Sequence, residues 1–202
     1  MLNIDARMNT ERENYKLLIG TIIPRPIAFV TTLNEDGSIN GAPFSYFNVI
    51  SSNPPLISLS IQRRKGEMKD TARNILREKE FVIHSVDKDN FTEINKTAAS
   101  LPPEESELSL TELTLVDSQS LRVPGVNESK VRMECVLETS LSLGDEKGTT
   151  ADLLIGRVLR FHIHEDIHES GRIDPLKLEP MSRLAGISYA GIGEIISLER
   201  PE

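Results

Sequence analysis

Residues 26–62 read PIAFVTTLNEDGSINGAPFSYFNVISSNPPLISLSIQ, and the fold class turns on them. The run from Pro26 to Thr32 is apolar and β-branched, and Asn34-Glu35-Asp36-Gly37-Ser38 follows with a glycine able to take positive φ, so the pattern predicts a hairpin. The return strand begins near Ile39, with Ala42, Phe44 and Tyr46 alternating against Gly41, Pro43 and Ser45. A second turn at Ser51-Ser52-Asn53-Pro54-Pro55 leads into LISLSIQ. There Leu56, Ser58 and Ser60 share one face and Ile57, Leu59 and Ile61 the other. Three successive strands in an antiparallel meander are expected.

Working outward, the stretch RRKGEMKDTARN (63–74) runs into a helix expected from Thr71 to Lys79. Ala72, Ile75 and Leu76 fall at helical spacing, and Asp70 or Thr71 stands where a cap belongs. FVIHSVD (81–87) reads as a strand, DNFTEINKTAAS (89–100) as a helix with Phe91, Ile94 and Ala98 on one side, and LPPEESELSL (101–110) as a surface excursion. Two long alternating segments, Val131 to Leu143 and Ala151 to His164, are joined by the polar turn 144–148 and read as a hairpin. The C-terminal DPLKLEPMSRLAGISYAGIGEIISLERPE, broken by Pro175 and Pro180, suits a chain wrapping a surface. Six or more antiparallel strands with two or three inserted helices predict a mainly β fold, a β-barrel with helical decoration in preference to a βαβ sheet. No repeat or linker interrupts the chain, so one domain over residues 1–202 is expected.

Composition narrows the function. The 202 residues carry 31 acidic and 23 basic side chains, a net charge of −8, with 38% apolar residues. Such a chain lacks the broad positive field that nucleic acid or an anionic membrane requires, so neither is an expected partner. Any anion must be captured locally. The single Cys135 leaves no internal disulfide and no multi-cysteine metal site, which suits a reducing compartment. It alternates with polar neighbours and reads as a buried, inert thiol. The N-terminal MLNIDARMNTERENYKLLIG shows no secretory pattern and no span approaches the ~20 apolar residues of a membrane helix, so a cytoplasmic location is expected.

Two stretches carry candidate chemistry. The dozen residues 63–74 gather five basic side chains ahead of a helix start, where unpaired N–H groups and the positive end of the dipole suit a phosphate. Arg63, Lys69 and the Thr71 hydroxyl are the candidate ligands; the competing reading is a solvated charged turn. In GAPFSYFNVISSNPP, Ser45, Asn48, Ser51 and Ser52 interleave with Phe44, Tyr46 and Phe47, a mixture suited to a flat ring with a polar edge, or to a strand packing its aromatics in the core. His162 and His164 share one strand face; with Glu165 and Asp166 they could bind a metal, but the solvent face of a strand is the simpler reading. Gly191-Ile192-Gly193 lacks the flanking strand and helix of a dinucleotide fingerprint.

The ordered motifs PRPIAFVTT, DGSINGAPFSYFNVISSNPP, LISLSIQRR, KDTARNI and MSRLAGISY resemble those of the flavin reductase-like family, with its flavoredoxin-like branch. The likeness runs roughly from Tyr15 to Ile196. It implies an antiparallel, Greek-key-like split β-barrel that binds FMN. By resemblance, Arg25, Pro26 and Ile27 border the isoalloxazine ring, and Ser45, Tyr46, Phe47 and Asn48 contact ring and ribityl chain. Ser60, Gln62, Arg63, Lys69, Asp70 and Thr71 hold ribityl and phosphate, while Arg183, Leu184 and Tyr189 close the pocket, often across a homodimer interface. The resemblance implies electron transfer from NADH or NADPH, as co-substrate, through FMN to free flavin, a metal complex or a partner protein such as a monooxygenase or redox protein. It assigns no catalytic side chain and no metal. One departure stands out: reductases that serve two-component monooxygenases usually carry Gly-Asp-His in the late hairpin, whereas Gly144-Asp145 is followed here by Glu146. That gives weight to a second reading, a flavin-binding electron carrier without NAD(P)H oxidation of its own. A third is a related split barrel holding another planar phosphorylated cofactor such as pyridoxal phosphate.

Overall fold

In the computed structural model, which describes residues 1–99 and 106–201, helix α1 (Glu11–Thr21) opens the fold. Its start is set by a capping box: Thr10 Oγ1 accepts from the Glu13 amide while the Glu13 carboxylate accepts from the Thr10 amide at 2.8 Å. Ile19 alone is buried in this helix. The short strand β1 (Arg25–Pro26) leads into β2 (Ala28–Leu33), which turns back into β3 (Ile39–Phe44). That turn is closed by the Asn34 amide donating to Ser38 O at 2.8 Å, with Gly37 at φ 86°. A second hairpin joins β4 (Phe47–Ser52) to β5 (Pro55–Gln62).

The expected three-strand meander is corrected here. The return strand stops at Phe44, and Phe47 begins a separate strand, so the stretch makes four strands. With β6 (Glu80–Ser85), β9 (Val131–Asp145) and β10 (Gly148–Ile163), the large antiparallel sheet has the order β3-β2-β6-β9-β10-β5-β4. Strands β3 and β4 therefore occupy opposite edges although only Ser45 and Tyr46 separate them. Laid flat, seven strands would hold those edges about 29 Å apart at about 4.8 Å per gap. Three Cα steps from Phe44 to Phe47 reach about 10 Å. The sheet must curl until its edges meet at this link, and the result is a split β-barrel.

Helix α2 (Asp70–Glu78) packs against β2 and β3 with Ala72 and Ile75 fully buried. Its N-cap is Lys69, with no side-chain cap, in place of the expected Asp70 or Thr71. Asp70 pairs with Arg73 one turn on, and the Thr71 hydroxyl accepts from Asn40 Nδ2 at 2.9 Å. Helix α3 (Phe91–Lys96) is shorter than the segment 89–100 predicted for it. Residues 100–105, the end of that segment and half of the expected excursion, lie outside the described residues; a 3₁₀ turn follows at Glu107–Leu110. Strands β7 (Leu115–Val116) and β8 (Gly125–Val126) pair with each other. The expected late hairpin is β9–β10, longer than predicted. Beyond it β11 (His168–Glu169), β12 (Arg172–Ile173), α4 (Pro175–Leu178), β13 (Ser182–Arg183) and β14 (Tyr189–Ala190) form a strap, and β1, β13 and β14 make a small three-stranded sheet. Among the described residues no helix is long and apolar enough to cross a membrane.

The barrel interior is filled by Val30, Leu59, Ile61, Phe81, Ile83 and Leu154, all at most 0% exposed. Gly156 on β10 is required by this packing, since a Cβ there would sit 2.4 Å from Phe81 Cζ. Outside the barrel, Ile27, Phe29, Val86, Ile94 and Val126 form a second cluster under α3. Cys135 is buried, and burial followed by the charge of Glu134 pushes its thiol far up, as an inert core group requires. His162 does not simply face solvent: its Nε2 lies 2.6 Å from Glu134 Oε1, a buried carboxylate that also accepts from the Gln119 and Ser120 amides at 2.7 Å. Those bonds clamp the 117–122 loop to the sheet.

His84, on β6, is fully buried with Nδ1 3.0 Å from Phe29 O and Nε2 2.9 Å from the Val126 amide. The amide must donate, so Nε2 keeps its lone pair and Nδ1 carries the proton. Burial above all, with the nearby Arg132 charge also opposing protonation, lowers the His84 pKa from 6.5 to about 3. The unfolded chain therefore binds this proton between those values, and the stability His84 contributes is complete above 6.5 and lost as pH falls toward 3. Denaturant unfolding is expected to show about 2 kcal/mol lost to this group between pH 7 and pH 5. His84→Gln should remove that part of the slope; a variant with the wild-type slope would assign the acid sensitivity elsewhere.

Candidate functional site

The link Ser45–Tyr46 lies at the seam of the barrel, and two adjoining cavities of about 550 Å³ each open there. Tyr15, Arg25, Ser45, Tyr46 and Gln62 line both and form the wall they share. The Tyr46 carbonyl accepts from the Ser60 amide at 2.8 Å, which ties the link to β5. Burial raises the Tyr46 hydroxyl pKa, with Tyr15 adding to the effect, so it stays a neutral hydrogen-bonding group.

The first cavity runs from β5 and the start of α2 to α3 and the strap. Of the residues singled out from the sequence, Arg25, Ile27, Ser45, Tyr46, Ser60, Gln62, Lys69, Arg183, Leu184 and Tyr189 line it. Pro26, Phe47 and Asn48 line the second, more apolar cavity, together with Leu18, Ile22 and Pro24. Arg63, Asp70 and Thr71 line neither. The Arg63 guanidinium is turned away to Asp152, with Nε and Nη2 at 2.9 and 2.8 Å from the two carboxylate oxygens, and the Asp152 side chain is 3% exposed. This bidentate pair fixes the end of β5 against β10.

Charge in the first cavity is one-sided. Among the described residues that line it, Arg25, Lys69 and Arg183 are cations and none is a carboxylate. Lys69 Nζ stands 5.6 Å from the centre of the Phe44 ring. Burial, then the charge of Arg64, lowers the Lys69 pKa, which marks an ammonium taken partly out of water with no salt-bridge partner among the described residues. Arg25 is differently employed. It is 7% exposed, its Nη1 donates to Ile19 O at 2.8 Å and Ile22 O at 2.6 Å, and its Nη2 donates to Leu184 O at 2.9 Å. One side chain thus caps the C-terminus of α1, which has no basic residue in its last turn, and pins the strap to it.

Sequence reading missed Tyr15 and Ile19 on α1, and Asn95 on α3. The capping pair Thr10 and Glu13 could have announced α1; nothing local shows that Asn95 meets the strap. There Tyr189 O–H donates to Asn95 Oδ1 at 2.6 Å and the Tyr189 ring packs on Phe91 with centroids 5.9 Å apart. Apolar walls from Ile27, Phe44 and Ile94, a few hydroxyls and amides, and acid-free positive charge suit a planar ligand with an anionic arm.

Known proteins agree in kind. YwrF of Bacillus subtilis (strain 168) is 53% identical over 204 residues, covering 100% of both chains. The crystal structure of nitrilotriacetate monooxygenase component B from Bacillus cereus superimposes with a TM-score of 0.96 at 54% identity, covering 98% of each chain. Pseudomonas fluorescens 2-nitrobenzoate 2-nitroreductase NbaA gives 0.89 at 26% identity, over 99% of this chain and 96% of that one. The family model described as flavin reductase like domain matches residues 19–179. The chain belongs to the flavin reductase-like family.

Proposed function

We propose that the chain, as one domain over residues 1–202, is an FMN-dependent oxidoreductase that takes electrons from NADH or NADPH and passes them to free flavin, a metal complex or a partner protein. The observation that carries this reading is the first cavity, lined by three cations and, among the described residues, no carboxylate, with Lys69 at the N-terminus of α2. The residues present fit the group. Lys69 and the first amides of α2 suit its phosphate. Ser60 and Gln62 suit the ribityl chain, and Arg25, Pro26, Ile27 and the run Ser45 to Asn48 suit the ring and its polar edge. Arg63 and Thr71 act one step behind, through Asp152 and Asn40, by fixing β5 and the first turn of α2. When bound, the flavin supplies the electron chemistry, while the protein supplies position and control of water.

Similarity to a protein described as component B of a monooxygenase supports an oxygenase component as the partner. A cytoplasmic homodimer is the proposed working form; exposed Val49 and Ile50 on the edge strand β4 support association. A second reading, a flavin-binding electron carrier, is favoured by two observations at the hairpin and cavities. Glu146 occupies the exposed tip where the histidine of the Gly-Asp-His pattern would stand, and among the described residues no histidine lines either cavity.

Lys69→Ala is expected to weaken FMN by about tenfold or more while riboflavin, which lacks the phosphate, changes little, as a charge-assisted contact of about 1.5–3 kcal/mol requires. Fluorescence titration reads both; equal losses would remove the phosphate assignment. Anaerobic mixing of the FMN-loaded protein with NADH, and separately with NADPH, should bleach the flavin band within seconds. A band that bleaches only with dithionite would select the electron carrier.

A further inference from the structure

Three cations, Arg25, Lys69 and Arg183, line the first cavity. Lys69, the N-cap of α2, holds its Nζ 5.6 Å from the centre of the Phe44 ring, and Phe44 lies opposite Ala28 on β2. Arg183 is rooted opposite Arg25. Strands β1 and β2 belong to different sheets, β1 with β13 and β14 and β2 with the barrel, so Arg183 and Lys69 reach the cavity from different elements. With the FMN phosphate placed at Lys69 and the first amides of α2, Arg183 on the strap is the cation of the cavity that the flavin reading leaves unassigned. Arg25 offers no alternative, because its terminal nitrogens are bound to Ile19, Ile22 and Leu184 and its Nε is sealed from any partner.

Arg183 is held in place without being used up. Its guanidinium stacks on the Tyr189 ring at 4.4 Å, and Nη2 donates to Gly186 O at 2.6 Å. Tyr189 is fixed in turn by Asn95 and Phe91. Among the described residues no carboxylate pairs with Arg183, and its remaining N–H donors are open, as is the Asn95 amide nitrogen. In a chain of net charge −8, a rigid cation kept free of acid in a cavity is an arrangement that a ligand anion completes.

We propose that Arg183, seated on Tyr189 and flanked by Asn95, recognises the anionic group of a second ligand held beside the flavin. The substrate class is then a planar aromatic or dihydronicotinamide compound bearing a carboxylate or a phosphate. This rests on the flavin reading above, with the FMN phosphate at Lys69. The recognition chemistry is shared by two sources, the pyrophosphate of a nicotinamide dinucleotide and the carboxylate of an aromatic acid.

The test titrates naphthalene-2-carboxylate and its neutral analogue naphthalene-2-carboxamide into the FMN-loaded wild type, Arg183→Gln and Arg183→Lys, by calorimetry. The wild type should prefer the carboxylate by about tenfold. Arg183→Gln should lose that preference with carboxamide binding and FMN affinity retained, and Arg183→Lys, which keeps charge but loses the planar fork, should fall between. No preference in the wild type, or one that survives in Arg183→Gln, overturns the proposal. So does a parallel loss of FMN affinity, which would make Arg183 a flavin ligand. Reduction rates with NADH and with uncharged 1-benzyl-1,4-dihydronicotinamide then separate the sources. Slowing by Arg183→Gln with NADH alone assigns the pyrophosphate, slowing with neither assigns the aromatic acid, and equal slowing with both counts against an anion site. If the protein takes up no FMN, the flavin reading fails, and the same naphthalene pair titrated into the flavin-free protein still decides the role of Arg183.

Discussion

Two residues, Ser45 and Tyr46, join the outermost strands of a seven-stranded sheet, and that covalent constraint shapes everything around it. A sheet whose edges are tied so closely cannot lie flat, so its twist is drawn into a barrel with one seam. The seam has backbone that belongs to no ladder, space beside it, and walls from both edges. A ligand cavity at that place follows from topology before any side chain is considered. The aromatic and hydroxyl groups of residues 44–48 then decide what kind of molecule the space suits.

Electrostatics divides labour along the same lines. The chain is acidic overall, yet among the described residues no carboxylate lines the first cavity. Asp152, opposite Ile61 near the end of β5, is occupied by Arg63, and Asp70 is occupied by Arg73. Three basic residues that look alike in sequence thus do different work. Arg63 neutralises an acid, Arg25 ties backbone carbonyls together, and Lys69 keeps its charge for the cavity.

Much of the fold was legible. The alternation of 131–143 against 151–164 announced the long hairpin, and 26–33 with its glycine turn announced β2 and β3. The split at Ser45 was not legible, because neither glycine nor proline marks it and the apolar-polar alternation runs through without a break. What ends β3 there is a change of partner across the sheet, and a local pattern does not record partners. Helix α1 was missed for the opposite reason: its cap, Thr10 with Glu13, is plain, but its apolar residues make no clean stripe. The motifs around Arg25, Ser45, Lys69 and Arg183 come together in the structure around the two cavities. The Arg63–Asp152 pair joins positions 89 apart, so no reading of residues 63–74 alone could tell the structural arginine from the lysine that faces the cavity.

That separation also bears on how the chain assembles as it is made. The hairpins β2–β3 and β4–β5 are local and complete once residue 62 has emerged, whereas β10, which must pair with β5 from Gln62 back to Leu56, arrives only after residue 157. Until then β5 presents an open edge, and β2 presents another until β6 emerges. Non-local pairing of this kind is slow, and unpaired edges invite wrong partners. Once β6 covers β2, the open edges are those of β6 and β5, which stay unpaired throughout synthesis of the long stretch between β6 and β9, and the β9–β10 hairpin is the piece whose arrival ends that exposure.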